Sequence, residues 1–144
     1  MTSARFGQIN LVCRDVAETL AFYRRVGLDI PQAAVWEANG AAHHAKAAGD
    51  AAVDLEFDSH ALAHAYNEGF AAERGRVMIV VSLESREAVD ALWTQLLEDG
   101  AQGLQPPFDA FWGARYAIVE DPDGNPVGLM SPVDPARRSA PPEL

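Results

Sequence analysis

The sequence predicts an α+β fold in which one strand–helix–strands unit is used twice. Three observations predict it. A strand running into a capped helix occurs near the N-terminus and again near the middle of the chain, apolar and acidic residues alternate at 53–58, and the last strands are joined by Asp121-Pro122-Asp123-Gly124. The 144 residues, 49% of them hydrophobic, suit one domain with a single core. That domain is read as 1–132, with a first unit at about 6–58, a connector at 59–75 and a second unit at about 76–131. A tail rich in proline and charge occupies 133–144.

Each element has a local cause. Gly7 to Cys13 is the first strand, and Asp15 caps the next helix with Glu18 three residues on, a capping box that satisfies exposed amides of the first turn. Val16, Leu20 and Tyr23 mark one helical face, and Gly27 ends it. Trp36 to Lys46 and Ala51 to Phe57 read as strands around a Gly49-Asp50 turn. In the second of these, Val53, Leu55 and Phe57 alternate with Asp54, Glu56 and Asp58, giving one apolar and one acidic face. Ser59 to Phe70 is a short helical connector. Arg76 to Val81 opens the second unit, and Ser85 caps a helix whose stripe is Ala88, Val89, Leu92, Trp93 and Leu96, ended by Gly100. Gln105 to Asp109, with two prolines, reads as a rigid loop, and Tyr116 to Val119 and Val127 to Met130 are the closing strands. The tail is expected to be mobile or draped over a neighbour.

Composition excludes several classes. A net charge of −10 argues against nucleic acid, whose phosphates it would repel, and favours cationic ligands. Cys13 is the sole cysteine, so neither an internal disulfide nor a multi-cysteine metal site is available. The longest strongly apolar run is Val77 to Val81, far short of a membrane span, and no signal peptide is read, so a cytoplasmic location is expected. No phosphate-cradling glycine loop or nucleophile constellation stands out.

The closing hairpin, Tyr116 to Val119, Asp-Pro-Asp-Gly-Asn at 121–125 and Val127 to Met130, closely resembles the last hairpin of the vicinal-oxygen-chelate superfamily of glyoxalases, extradiol dioxygenases and bleomycin-resistance proteins. Val12-Cys13-Arg14-Asp15 running into Ala21-Phe22-Tyr23 and Gly27-Leu28 adds to the likeness, which extends over Phe6 to Pro132. The resemblance implies tandem βαβββ modules that curl into a cup-shaped mixed sheet with a pocket on the concave face. It also implies a homodimer. The superfamily's four metal positions fall on Gln8, Glu56, Arg76 and Gly128 in this sequence. Arginine and glycine offer no lone pair, whereas a catalytic metal commonly needs three protein ligands, so no metal is expected; a divalent metal is the alternative. Arg76 is expected near the vacated cation position, paired with Glu56.

Strand alternation assigns Gln8, Asn10 and Val12 to the pocket face, with Asp54, Glu56 and Asp58 beside them and Arg76, Met78 and Val80 from the second module. The pocket is read as Gln8, Asn10, Asp54, Glu56, Arg76, Met78, Trp112, Tyr116 and Met130, with Trp36 and Phe111 as further aromatic walls. Of His43 and His44, adjacent on a strand, at most one can reach it. His60, His64 and Glu68 read as a solvated helix face and Trp93 as core. Three activities fit: a metal-free binder of a small, cationic aromatic molecule, similar to the bleomycin-resistance branch and its antibiotic-resistance role; a metal-dependent lyase, isomerase or dioxygenase; and a metal-free enzyme with Glu56 as general base.

Overall fold

A computed structural model describes residues 3–25, 28–50, 52–73, 77–120 and 125–144. Gly27, Arg76 and the turn at 121–124 lie outside the described residues. The first module consists of β1 (Ala4–Cys13), α1 (Val16–Arg25), β2 (Trp36–Ala38), β3 (Ala41–Lys46) and β4 (Asp54–Ser59). After α2 (His60–Tyr66) the second module runs through β5 (Val77–Leu83), α3 (Arg86–Glu98), β6 (Gly103–Asp109), β7 (Arg115–Glu120) and β8 (Pro126–Met130).

The helices begin where their caps stand. The Glu18 amide donates to Asp15 Oδ1 at 3.0 Å, the Leu62 amide to Ser59 Oγ at 3.0 Å, and the Ala88 amide to Ser85 Oγ at 3.1 Å. Gly100, with φ of 95°, follows the end of α3 as expected of a residue without a β carbon.

All eight strands form one sheet in the order β2-β3-β4-β1-β5-β8-β7-β6. Read from the edge inward, β2-β3-β4-β1 and β6-β7-β8-β5 are the same arrangement, so the sequence repeat is also a structural repeat. The modules meet through the antiparallel β1–β5 pair, and each contains one parallel pair, β1–β4 or β5–β8, of the kind a crossover helix permits. Helix α1 covers one half of the outer face over Cys13, Val16, Leu20 and Phe57, and α3 covers the other over Leu83, Val89, Ala117 and Leu129. A third cluster, with Val12, Leu62, Tyr66, Met78, Val80 and Tyr116, lies on the opposite face. Gly7 marks a bulge in β1 between Phe6 and Gln8. A β carbon there would collide with Ser82 Oγ. From Gln8 onward the alternation runs unbroken, which sends Gln8, Asn10 and Val12 to the same side.

Three expectations are corrected. Trp36 to Lys46 is a hairpin rather than one strand, because Asn39 and Gly40 both take positive φ and turn the chain between β2 and β3. Residues 105–109 belong to β6, the edge strand, where a proline without an amide hydrogen loses no ladder partner on the outer side; the register shifts around Pro106 and Pro107. The tail is not loose: Asp134 and Ser139 amides donate to the carbonyls of Gly113 (3.0 Å) and Phe111 (2.9 Å), Asn39 Nδ2 donates to the Leu144 carbonyl, and Leu144 packs on the cluster of Val12 and Tyr66.

This strap rests on Gly113, whose φ of 98° suits glycine and whose missing β carbon leaves room for the Asp134 carbonyl. We predict that Gly113→Ala costs about 2 kcal/mol or more, read as a fall of roughly 5–10 °C in Tm. An unchanged Tm would show that the strap is not held there.

Candidate functional site

Strands β1 to β4, β7 and β8, helix α2, the loop at Phe111 and Trp112, and Val133 converge on a cavity of about 430 Å³. Its polar side comes entirely from the first module: Gln8 and Asn10 on β1, His44 and Lys46 on β3, and Asp54, Glu56 and Asp58 on β4. Its apolar side combines Trp36, Leu62 and Tyr66 with Phe111, Trp112, Tyr116 and Met130 of the second module and Val133 of the strap.

The polar side is ordered around Asp58. Its side chain is 2% exposed, and a carboxylate so placed is costly unless donors surround it. Three do. Asn10 Nδ2 donates to Oδ2 at 2.7 Å, the Tyr66 hydroxyl donates to the same oxygen at 3.0 Å, and His44 Nδ1 lies 2.6 Å from Oδ1. Gln8 Nε2 in turn donates to Asn10 Oδ1 at 2.8 Å. Strand register makes this possible, since His44 and Asp58 are opposite residues of the antiparallel β3–β4 pair. The other ring nitrogen, His44 Nε2, lies 3.3 Å from Glu56 Oε1. Nearer the rim, Lys46 Nζ donates to Asp54 Oδ2 at 2.8 Å.

This arrangement sets proton affinities. Burial alone would lower the His44 pKa, but the hydrogen bond and charge of Asp58, with the charge of Glu56, outweigh it and the pKa rises. Burial raises the Glu56 carboxyl, with His44 opposing. The Tyr66 phenol is held well above its ordinary value, first by burial and then by Asp58, so it serves as a neutral donor.

Trp112 is the centre of the aromatic side, with ring centroids 5.1 Å from Tyr116, 5.2 Å from Phe111, 6.3 Å from Phe108 and 6.4 Å from Tyr66, all nearly edge-on. Trp36 extends the wall, 6.1 Å from Phe111.

Of the residues the sequence assigned to the pocket, Gln8, Asn10, Asp54, Glu56, Trp112, Tyr116 and Met130 line this cavity together. Met78 does not: it is buried beneath Tyr116, whose hydroxyl lies 3.6 Å from Met78 Sδ, because the tyrosine ring covers that part of β5. Arg76 lies outside the described residues, and among those described it is His44 that faces Glu56. His44, Lys46 and Tyr66 were missed as site residues. The sequence left open which of His43 and His44 reaches the pocket, and Tyr66 lay within the stretch read only as a short helical connector. His43 turns instead to Ser59 Oγ at 2.8 Å. The rings of His60 and His64 pack against Phe70, tilted and edge-on respectively.

The superfamily's metal positions can be tested at Gly128. A β carbon there would come 2.5 Å from the Tyr116 hydroxyl and 3.1 Å from Val80 Cγ2. The tyrosine ring therefore occupies the space into which a ligating glutamate would project. Among the described residues no group of three or more His, Cys, Asp or Glu is arranged to hold a metal, and His44 commits Nδ1 to Asp58. The donor set does not fit a metal held in the superfamily's manner.

Because both pKa values are raised on folding, stability from Glu56 and His44 is complete below their unfolded values of about 4.3 and 6.5 and is lost as pH climbs through the folded values. We predict that the urea midpoint falls as pH rises above about 6.5, and falls less in His44→Gln. Parallel profiles for the two proteins would contradict the pairing.

No curated protein matches the chain. Among solved structures, the 2,3-dioxygenase LapB from Pseudomonas sp. KL28 is similar with TM-score 0.62 and 14% identity over 90% of this chain and 43% of that one. A Mn(II)-bound glyoxalase from Novosphingobium aromaticivorans gives TM-score 0.54 and 19% identity over 91% and 40%. This chain thus spans less than half of either. A glyoxalase/bleomycin resistance protein/dioxygenase superfamily member from Vibrio splendidus 12B01 gives TM-score 0.55 and 11% identity over 92% of this chain and 100% of that one. At these identities the likeness is one of fold. A family model matches residues 5–129, and by that match the chain belongs to the Glyoxalase/Bleomycin resistance protein/Dioxygenase superfamily.

Proposed function

We infer that this protein binds a planar, positively charged small molecule in its cup, without a metal. The observation that supports this reading most is the division of the cavity: edge-on aromatic rings on one side, and on the other three carboxylates, with Lys46 bonded to Asp54 and His44 between Asp58 and Glu56. A unit positive charge 4 Å from a carboxylate gains about 4 kcal/mol at an effective dielectric near 20, against about 0.5–2 kcal/mol for a cation over one ring. Charge therefore selects the class of ligand, and the rings select its shape. Tyr116 over Gly128 supports metal independence. The metal-dependent reading retains only Gln8 and Glu56, which do share the cavity.

A thermal-shift screen of planar aromatic cations, neutral aromatics and planar carboxylates, each with and without EDTA, tests this reading. Cations are expected to raise Tm most, by several degrees at about 100 times Kd, with no effect of the chelator. Stabilisation by carboxylates and not by cations, or its loss with EDTA, would overturn it.

A further inference from the structure

We propose that the cup also performs a proton transfer on its ligand, with His44 as the base, Asp58 as the residue that positions it, and Glu56 as the partner that exchanges the proton with it. The proposal rests on the reading of the cup as a small-molecule site and assigns that site an activity.

The geometry carries it. An ionised carboxylate can only accept, so the 2.6 Å contact between Asp58 and His44 Nδ1 places a proton on Nδ1. Asp58 cannot turn away, because Asn10 and Tyr66 hold its second oxygen. The imidazole is therefore oriented with Nε2 toward Glu56 and the cavity, the arrangement of a positioned general base. Nε2 lies 3.3 Å from Glu56 Oε1, so one proton is shared between a nitrogen and an oxygen that both line the cavity. Burial favours the neutral form of Glu56, while the charges of Asp58 and Glu56 favour a proton on the imidazole, so the two groups compete for it. A site built only to hold a cation gains nothing from this group, since an imidazolium between two carboxylates cancels part of the charge that attracts the ligand.

The chemistry that suits the pair is a proton shift in a conjugated molecule with an acidic C–H beside a carbonyl or iminium, the iminium matching the acidic floor. His44 Nε2 takes the proton, and the C–H electron pair moves into the adjacent π system. The Glu56 carboxylic acid then returns a proton at another atom of the ligand. Passage of the proton from His44 to Glu56 across their contact restores the starting state. The net change is an isomerisation, with no oxidant, reductant or co-reactant.

A planar carbon acid tests the base without knowledge of the natural ligand. With 5-nitrobenzisoxazole, removal of the C3 proton forms the nitrile as the N–O bond breaks, releasing a coloured nitrophenolate. We expect a saturable rate above that of buffer. His44→Gln should lower kcat by about 100-fold or more. His44→Gly should do the same and regain activity with added imidazole. Asp58→Asn should lower kcat by about tenfold or more at unchanged KM, and His64→Ala should change neither. Circular dichroism checks that each variant is folded, and the His44 variants decide the matter even where Asp58→Asn is not. A rate no greater than buffer, or one that survives His44→Gln, would overturn the proposal. Quenching of tryptophan fluorescence in the same samples separates the two readings: quenching without turnover sinks the activity alone, and no quenching counts against the aromatic binding cup as well.

Discussion

A carboxylate sealed from solvent must be matched by donors or the fold that buries it does not persist. Asp58 is in that position, and the parts of the cup follow from how it is matched. Asn10 ties it to β1, His44 to β3 and Tyr66 to α2. One side chain thus fixes the relative placement of three elements and presents an imidazole and a second carboxylate to the cavity. The cost of burying the charge is offset by the first module and the connector helix that follows it, and the functional groups of the cup are what offset it.

The two modules share an arrangement of strands but not a chemistry. Strands of the first carry the charged and amide groups, and the second contributes rings, sulfur and small residues. Gly128 and Tyr116 show how this asymmetry is built. The absence of a side chain at one position gives room for a ring from the neighbouring strand, and that ring closes the place where relatives in the superfamily would direct a metal-binding group.

Much of this was legible in the sequence where local rules operate. Capping residues Asp15 and Ser85, the stop at Gly100 and the alternation from Asp54 to Asp58 each act within a few residues, so their reading does not depend on the rest of the chain. The missed features depend on register. Nothing near His44 states that it will stand opposite Asp58; that is set when β3 and β4 pair across the connection at 47–53. Likewise, Tyr66 on an apolar helix face looks the same whether the helix covers a core or a cavity. Pro106 and Pro107 argue for a loop by their own chemistry, and only the position of β6 at the edge of the sheet permits them in a strand. The strap was read from its composition as mobile or draped over a neighbour, whereas its order comes from backbone bonds to Phe111 and Gly113 that composition does not encode.

The central claim is that Asp58 holds His44 with the proton on Nδ1 and leaves Nε2 to the cavity. Long-range proton–nitrogen correlation spectra of the labelled protein, recorded at a pH where the imidazole is neutral, read this tautomer directly. His44 is expected in the Nδ1–H form, opposite to the preference of free histidine, with a shift toward the common form in Asp58→Asn. An Nε2–H tautomer in the unmodified protein, or free exchange between the two, would contradict it.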